Sequence, residues 1–235
     1  MSEEIPLLGG RVTAGVVRIG DTVRRPIVGD RSQVHCLLQH LERVGCTAVP
    51  RFLGVDEAGR EILTFLPGEV PGDLGHYDER TLRAAGSLLR LFHDATASFS
   101  AVADAGAEIM CHNDWGPPNA VFRDGCPVGI IDFDTARPGL RLWDLGYSAA
   151  SWVDLGDQTY TGQEQVNRLR VFADGYGHPD CSVQLIAAFC LARRAALAAA
   201  GRMKGNLALA EWSEESVRWA AEHITEQLLP TGMLP

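Results

Sequence analysis

Lysine is almost missing from this chain: among its 21 basic residues only Lys204 is one. Any cation that the first 200 residues bring to a site is therefore an arginine or a protonated histidine. Paired cysteines are missing too. The six, at positions 36, 46, 111, 126, 181 and 190, include no CxxC, and free thiols in a reducing cytoplasm are the expected state. The opening residues MSEEIPLLGG lack the basic-then-apolar order of a secretory signal, so the chain is expected to be cytoplasmic. No unbroken apolar run approaches the roughly 18 residues of a membrane span, and none is expected. Positive charge is scarce as well. Thirty acidic residues against 21 basic ones leave a net charge of −9, which excludes the clustered Lys and Arg of a nucleic-acid binder and suits a cationic small molecule. Internal repeats and low-complexity segments are absent.

What remains is an ordinary globular composition, 46% hydrophobic and 22% charged, over 235 residues. Two parts are expected on either side of a Pro/Gly-rich break, PGEVPGDLG, at 67–75. In the first part, 1–66, alternating segments at 12–17 and 22–28 are punctuated by Gly9, Gly10, Gly15 and Gly20. A helix comes next, with Ser32 as its cap, Val34, Leu37, Leu38 and Leu41 on one face, and Gly45 as its stop. FLGV and EILTFL then read as strands around the turn Asp56-Glu57-Ala58-Gly59. The second part, 76–235, is mainly helical. One helix starts at an Asp78 cap, an alanine-rich one is closed by Gly201, and a last one is capped by Ser213. The fold class expected is α+β: a small antiparallel sheet with one helix, then a larger helical lobe. A cleft between two lobes is a common small-molecule site.

The chemistry concentrates in MCHNDWGPPNAVF, residues 110–122. Pro117 and Pro118 bar both a helix interior and a central strand, so His112, Asp114 and Asn119 stand on a stiff loop. AVFRDGCPVGIIDFD then folds as a hairpin about Asp124-Gly125, which returns Asp132 beside Asn119 and leaves Asp134 at the strand end. A carboxylate and an amide oxygen are hard donors of the kind Mg²⁺ prefers. Asp114, offset on the loop, is placed to accept a proton from a substrate hydroxyl.

HNDWGPPN followed by IDFD resembles the catalytic loop and metal-binding aspartate of the protein-kinase-like fold. With IDFDTARPGLRLWDLGYSA, it looks like the aminoglycoside phosphotransferase and choline kinase-like family. The resemblance covers 109–150 closely and 32–70 more loosely. It implies a bilobal fold, 1–66 as the nucleotide lobe, 67–75 as the hinge and 76–235 as the lobe that holds the acceptor. It implies Asp114 as catalytic base, Asn119 and Asp132 as Mg²⁺ ligands, His112 as a structural loop residue and Asp144 of WDLG as a buried brace. Arg24 falls at the phosphate-binding Lys position, with Arg25 as the alternative and Asp134 as a possible second metal contact. Where the partner Glu of that Lys would stand, the helix offers Val34 or His35. Adenine would lie against Thr64, Phe65 and Leu66, and the glycine-rich GGRVTAG would close over phosphates. The implied reaction moves the γ-phosphoryl group of ATP or GTP to a hydroxyl of a sugar, an aminoglycoside-like compound or an amino alcohol. Eight acids against four arginines over 132–180 fit an amine-bearing acceptor. Nucleotide binding without transfer, and metal-dependent phosphohydrolysis, stand as the alternatives.

Overall fold

In the computed structural model the described residues are 3–7, 15–72 and 74–228. The glycine-rich stretch therefore lies outside them except for Gly15. Short alternating segments and tight turns build the first part. Strands β1 (Ile5–Pro6), β2 (Val17–Ile19) and β3 (Thr22–Pro26) precede helix α1 (Ser32–Arg43), and β4 (Phe52–Val55) and β5 (Arg60–Thr64) come after it. All pair antiparallel in the order β1-β2-β3-β5-β4. The β4–β5 turn is set by Asp56, whose Oδ1 accepts the N–H groups of Ala58 and Arg60 at 3.0 and 2.9 Å. Ser32 is the first helical residue of α1 and not its cap. Asp30 Oδ1 takes the Ser32 N–H at 2.9 Å instead. Val34, Leu37, Leu38 and Leu41 form the buried stripe.

The break at 67–75 is stitched to the second part. Glu69 and Phe122 exchange N–H···O bonds of 2.9 and 2.7 Å, and Gly68, at φ +150°, comes so close that a Cβ would lie 2.3 Å from the Phe122 carbonyl. Beyond it come α2 (Glu79–Thr96), α3 (Ser100–Asp104), β6 (Ile109–Cys111), a single 3₁₀ turn (Pro117–Asn119), and the β7–β8 hairpin (Ala120–Arg123, Cys126–Ile130). Asp78 caps α2 through the Thr81 N–H at 2.8 Å. Asp124 and Gly125 both take positive φ, 51° and 75°, as a two-residue hairpin turn requires. Strand β9 (Arg137–Gly139) pairs with β6. Then come α4 (Arg141–Trp152), α5 (Gly162–Tyr176), α6 (Val183–Met203), α7 (Leu207–His223) and α8 (Thr225–Leu228).

Two helix ends differ from expectation. Gly201 does not stop α6; it lets α7 approach, since a Cβ there would sit 3.0 Å from Ala210 N and Asn206 O. The cap of α7 is Asn206, which accepts the Leu209 N–H, while Ser213 is buried within the helix. Helix α6 is also long and apolar enough, by length and composition, to cross a membrane: 21 residues with mean hydropathy 1.5 in its best window. Its apolar run is not unbroken in the sequence, because Arg193 and Arg194 interrupt the alanines. In the fold α6 packs against α4 and α7.

The core of the helical part runs from Leu82, Leu89 and Phe92 of α2 through Met110 and Ile130 to Leu169 and Phe172 of α5. Helices α2 and α5 touch through reciprocal glycines. A Cβ on Gly86 would lie 2.3 Å from the Phe172 carbonyl, and one on Gly175 2.2 Å from that of Arg83. Gly86→Ala is accordingly expected to cost roughly 1–3 kcal/mol by forcing the helices apart. Urea unfolding of the variant should show a lower midpoint at unchanged slope.

Candidate active site

The loop from 112 to 119 hangs on a buried carboxylate. Asp144, fully buried in the first turn of α4, accepts the N–H groups of His112 and Asn113, each at 2.7 Å. His93 Nε2 donates to the same carboxylate at 2.9 Å, and its Nδ1 accepts the Tyr176 hydroxyl at 2.9 Å. Burial pushes the Asp144 carboxyl up, but the His93 contact and the loop amides outweigh it and hold it below the usual range. Burial likewise keeps His93 below its ordinary value, so the imidazole is neutral. Asn113, at φ 64°, turns the chain in the left-handed region that Asn tolerates. His112 is buried; its Nε2 meets the Ile131 carbonyl at 3.1 Å and its Nδ1 the Asp114 N–H at 3.3 Å.

So tethered, Asp114 faces a cleft of about 870 Å³. Its Oδ2 accepts from Asn119 Nδ2 at 2.9 Å, and its Oδ1 takes a short hydrogen bond from the Tyr147 hydroxyl. Asn119 Nδ2 also reaches the Asp114 carbonyl at 2.8 Å. Asn119 and Asp132 both line the cleft, and the Ile131 N–H donates to the Asn119 carbonyl at 3.0 Å where the hairpin closes. Asp132 sits at φ 64°, a strained conformation that aims its carboxylate away from strand geometry. Burial and the neighbouring Asp134 raise its proton affinity more than Arg25 lowers it.

Arg25, not Arg24, is the arginine of β3 that enters the cleft. Strand pairing sets Arg25 directly opposite Glu61, on the face that also presents Val23. Arg24 lies on the other face, bonded to Thr22 Oγ1 at 2.6 Å and 3.5 Å from Asp56 Oδ2. Arg25 Nη1 donates to Asp134 Oδ1 at 2.7 Å, and Nη2 reaches Asp132 Oδ1 at 3.3 Å and Asp134 Oδ2. Arg31 joins the same network through Glu61 Oε2 at 3.0 Å and Asp134 Oδ1. His35 of α1 meets Glu61 Oε2 at 2.9 Å, so an acid does sit beside the cleft arginine, supplied by β5. Burial raises Asp134, yet the bonds from Arg25 and Arg31 overcome this and hold it low. Thr64, Phe65 and Leu66 line the far wall; the Phe65 N–H is already committed to the Asp21 carbonyl at 2.9 Å. Glu61, Arg31 and Tyr147 are site residues that the sequence does not single out. Alternation lets only one of Arg24 and Arg25 enter the cleft, and the pairing with Glu61 decides which; Glu61 and Tyr147 themselves belong to no local motif.

A sheet-and-helix part joined by a hinge-like segment to a helical part, with an Asp-bearing loop and a metal-suited Asn/Asp pair in the cleft, is the protein-kinase-like bilobal fold. Residues 99–180 match the phosphotransferase enzyme family (APH). The chain is 35% identical, over 75% of its length and 75% of the relative's, to the trifolitoxin immunity protein of Rhizobium leguminosarum bv. trifolii. A spectinomycin phosphotransferase solved with ADP and spectinomycin superposes with TM-score 0.60 at 12% identity, covering 97% of this chain and 93% of that one. A choline kinase from Streptococcus pneumoniae gives 0.59 at 13% identity over 94% and 95%. The chain belongs to the phosphotransferase enzyme family.

Both partners in the buried pair have folded-state affinities for protons below their unfolded ones. The His93 contribution to stability is therefore complete above about pH 6.5 and is lost as pH falls below it. That of Asp144 is complete above about pH 3.9 and is lost as pH falls further. Acidification should weaken the fold in two stages. Urea titrations between pH 7.5 and 5 should show a decline in the wild type that His93→Gln lacks.

Proposed function

We propose that this chain transfers the γ-phosphoryl group of ATP or GTP to a hydroxyl of a small molecule, with Asp114 as the general base. The observation that carries the reading is the Asp114 carboxylate in the cleft, fixed from one side by Asn119 and from the other by Tyr147. One carboxylate oxygen takes the hydroxyl proton while the substrate oxygen bonds to phosphorus and the bond to the nucleoside diphosphate breaks. Tyr147 holds the carboxylate's orientation; its own proton is firmly retained, because burial and the adjoining Asp114 both push its pKa up.

Asn119 and Asp132 fit Mg²⁺. They offer two hard oxygens at one wall, and Asp132 carries a half-buried charge whose raised proton affinity a divalent cation would satisfy. Asn119 and Asp132 would hold the ion, which would supply positive charge against the charge that develops on the transferred group. Arg25, rather than Arg24, would grip the phosphates, its planar fork replacing the usual lysine ammonium. The relation to an immunity protein supports a setting in which phosphorylation inactivates a toxic compound, a resistance function in the broad sense.

Asp114→Asn should lower the transfer rate by ~10²–10⁴ and leave Mg·ATP affinity intact, as read by a phosphate-transfer assay and by calorimetry. Normal turnover in that variant would remove Asp114 as the base. Arg25→Gln should raise the nucleotide KM about tenfold, whereas Arg24→Gln should not.

A further inference from the structure

Arg194 of α6 is a buried cation with no carboxylate in direct contact among the described residues; Asp154 acts on it only beyond ion-pair distance. It is only 4% exposed, lines the same cleft as Asp114 and Tyr147, and its guanidinium lies 4.0 Å from the centroid of the Trp212 ring. Nη2 donates to the Ala150 carbonyl at 3.1 Å, while Nε has no hydrogen-bond partner. Among the described residues no carboxylate forms an ion pair with it. A buried unpaired charge is costly, and an apolar side chain of similar length would ordinarily serve the fold better. Its structural contacts account for it only in part: the Ala150 carbonyl, in the last turn of α4, accepts one of its N–H groups beside that of Leu155, and Trp212 is 41% exposed.

Of the acids that suggested an amine-bearing acceptor, Asp132 lines the cleft and bonds Arg25, while others lie away from it. Asp154 and Asp157, the latter 2.5 Å from His76 Nε2, gather at a separate hollow with Glu215, which shares only Trp212 with the cleft. The wall around Arg194 is apolar, formed by Leu197, Ala208, Leu209 and Trp212. We infer that the acceptor of the transfer reaction carries a carboxylate on an apolar body, and that Arg194 receives this carboxylate while Trp212 and Leu197 pack against the body. The inference rests on the phosphotransferase reading and deepens it: Asp114 addresses the hydroxyl, and Arg194 selects the molecule. A cationic acceptor would meet a like charge at this wall.

Three probes with a similar alkyl body and one primary hydroxyl test it: N-octanoyl-L-serine, its methyl ester, and 2-amino-1-decanol. Affinities are read by calorimetry on the wild type, Arg194→Met and Arg194→Lys, each with and without Mg·ADP. The carboxylate is expected to bind the wild type about tenfold or more tightly than the ester, with the amine weakest. Arg194→Met should abolish that preference, Arg194→Lys should keep part of it, and the Tm of unliganded Arg194→Met should equal or exceed that of the wild type. A wild type that binds the carboxylate no better than the ester or amine overturns the inference, as does a preference that survives Arg194→Met. A Tm several degrees below the wild type would instead assign Arg194 to the fold and overturn it too. Absence of Mg·ADP binding would sink the phosphotransferase reading separately, because the probe ranking is measured without nucleotide as well.

Discussion

The rest of the site depends on one buried carboxylate. Asp144 is closed off from water and remains ionised because two loop amides and one imidazole N–H point at it. Those amides belong to consecutive residues, so both backbone units are fixed at once, and the left-handed turn at Asn113 results from their geometry. Asp114 is the next residue. Its side chain has little freedom in direction once the two peptides before it are clamped, and Asn119 and Tyr147 remove what remains. Loss of the clamp would leave an unpaired imidazole and two buried N–H groups, a defect of the fold as much as of the site.

A second network ties the sheet to this loop. Arg25 and Arg31 face three carboxylates, Glu61, Asp132 and Asp134, drawn from β5 and the segment after β8. Negative charge is in excess there, and Asp132 reaches Arg25 at 3.3 Å, while Glu61 lies 3.0 Å from Arg31. Burial and Asp134 push the proton affinity of Asp132 upward, while the bonds from Arg25 and Arg31 hold Asp134 low. Arg25 also bonds Asp134 through both Nη atoms, so the sheet and the segment after the hairpin are tied by more than one contact.

How much of this is legible in the sequence depends on where each contact lies in the chain. HNDWGPPN and IDFD are local: prolines stiffen the loop and a two-residue turn folds the hairpin, so the relation of Asp114, Asn119 and Asp132 is written in short-range chemistry. Strand alternation allows only one of the neighbours Arg24 and Arg25 into the cleft, and register decides the face by setting Arg25 against Glu61. No acid stands on α1 beside that arginine because the acid sits on β5, distant in sequence and opposite it in space. Gly201 and Ser213 depart from their expected roles for a related reason. Glycine and serine are end signals only when no neighbouring helix needs a small side chain at that point, and here α6 and α7 meet at Gly201.

That meeting point governs the part of the cleft with no motif at all. With Gly201 letting the backbones of α6 and α7 come close, the two helices form an antiparallel pair, and Arg194, about two turns back along α6, comes under Trp212 of α7. An alanine-rich helix has few large side chains to fill the space beside such a contact, so the wall stays open and apolar around a single cation. The two ends of the cleft are thus built on opposite terms. At the sheet end stands a dense set of opposed charges, Arg25 and Arg31 among three carboxylates. At the α6–α7 end one guanidinium without an ion pair stands in apolar surroundings, where a single well-placed anion would change the energy most.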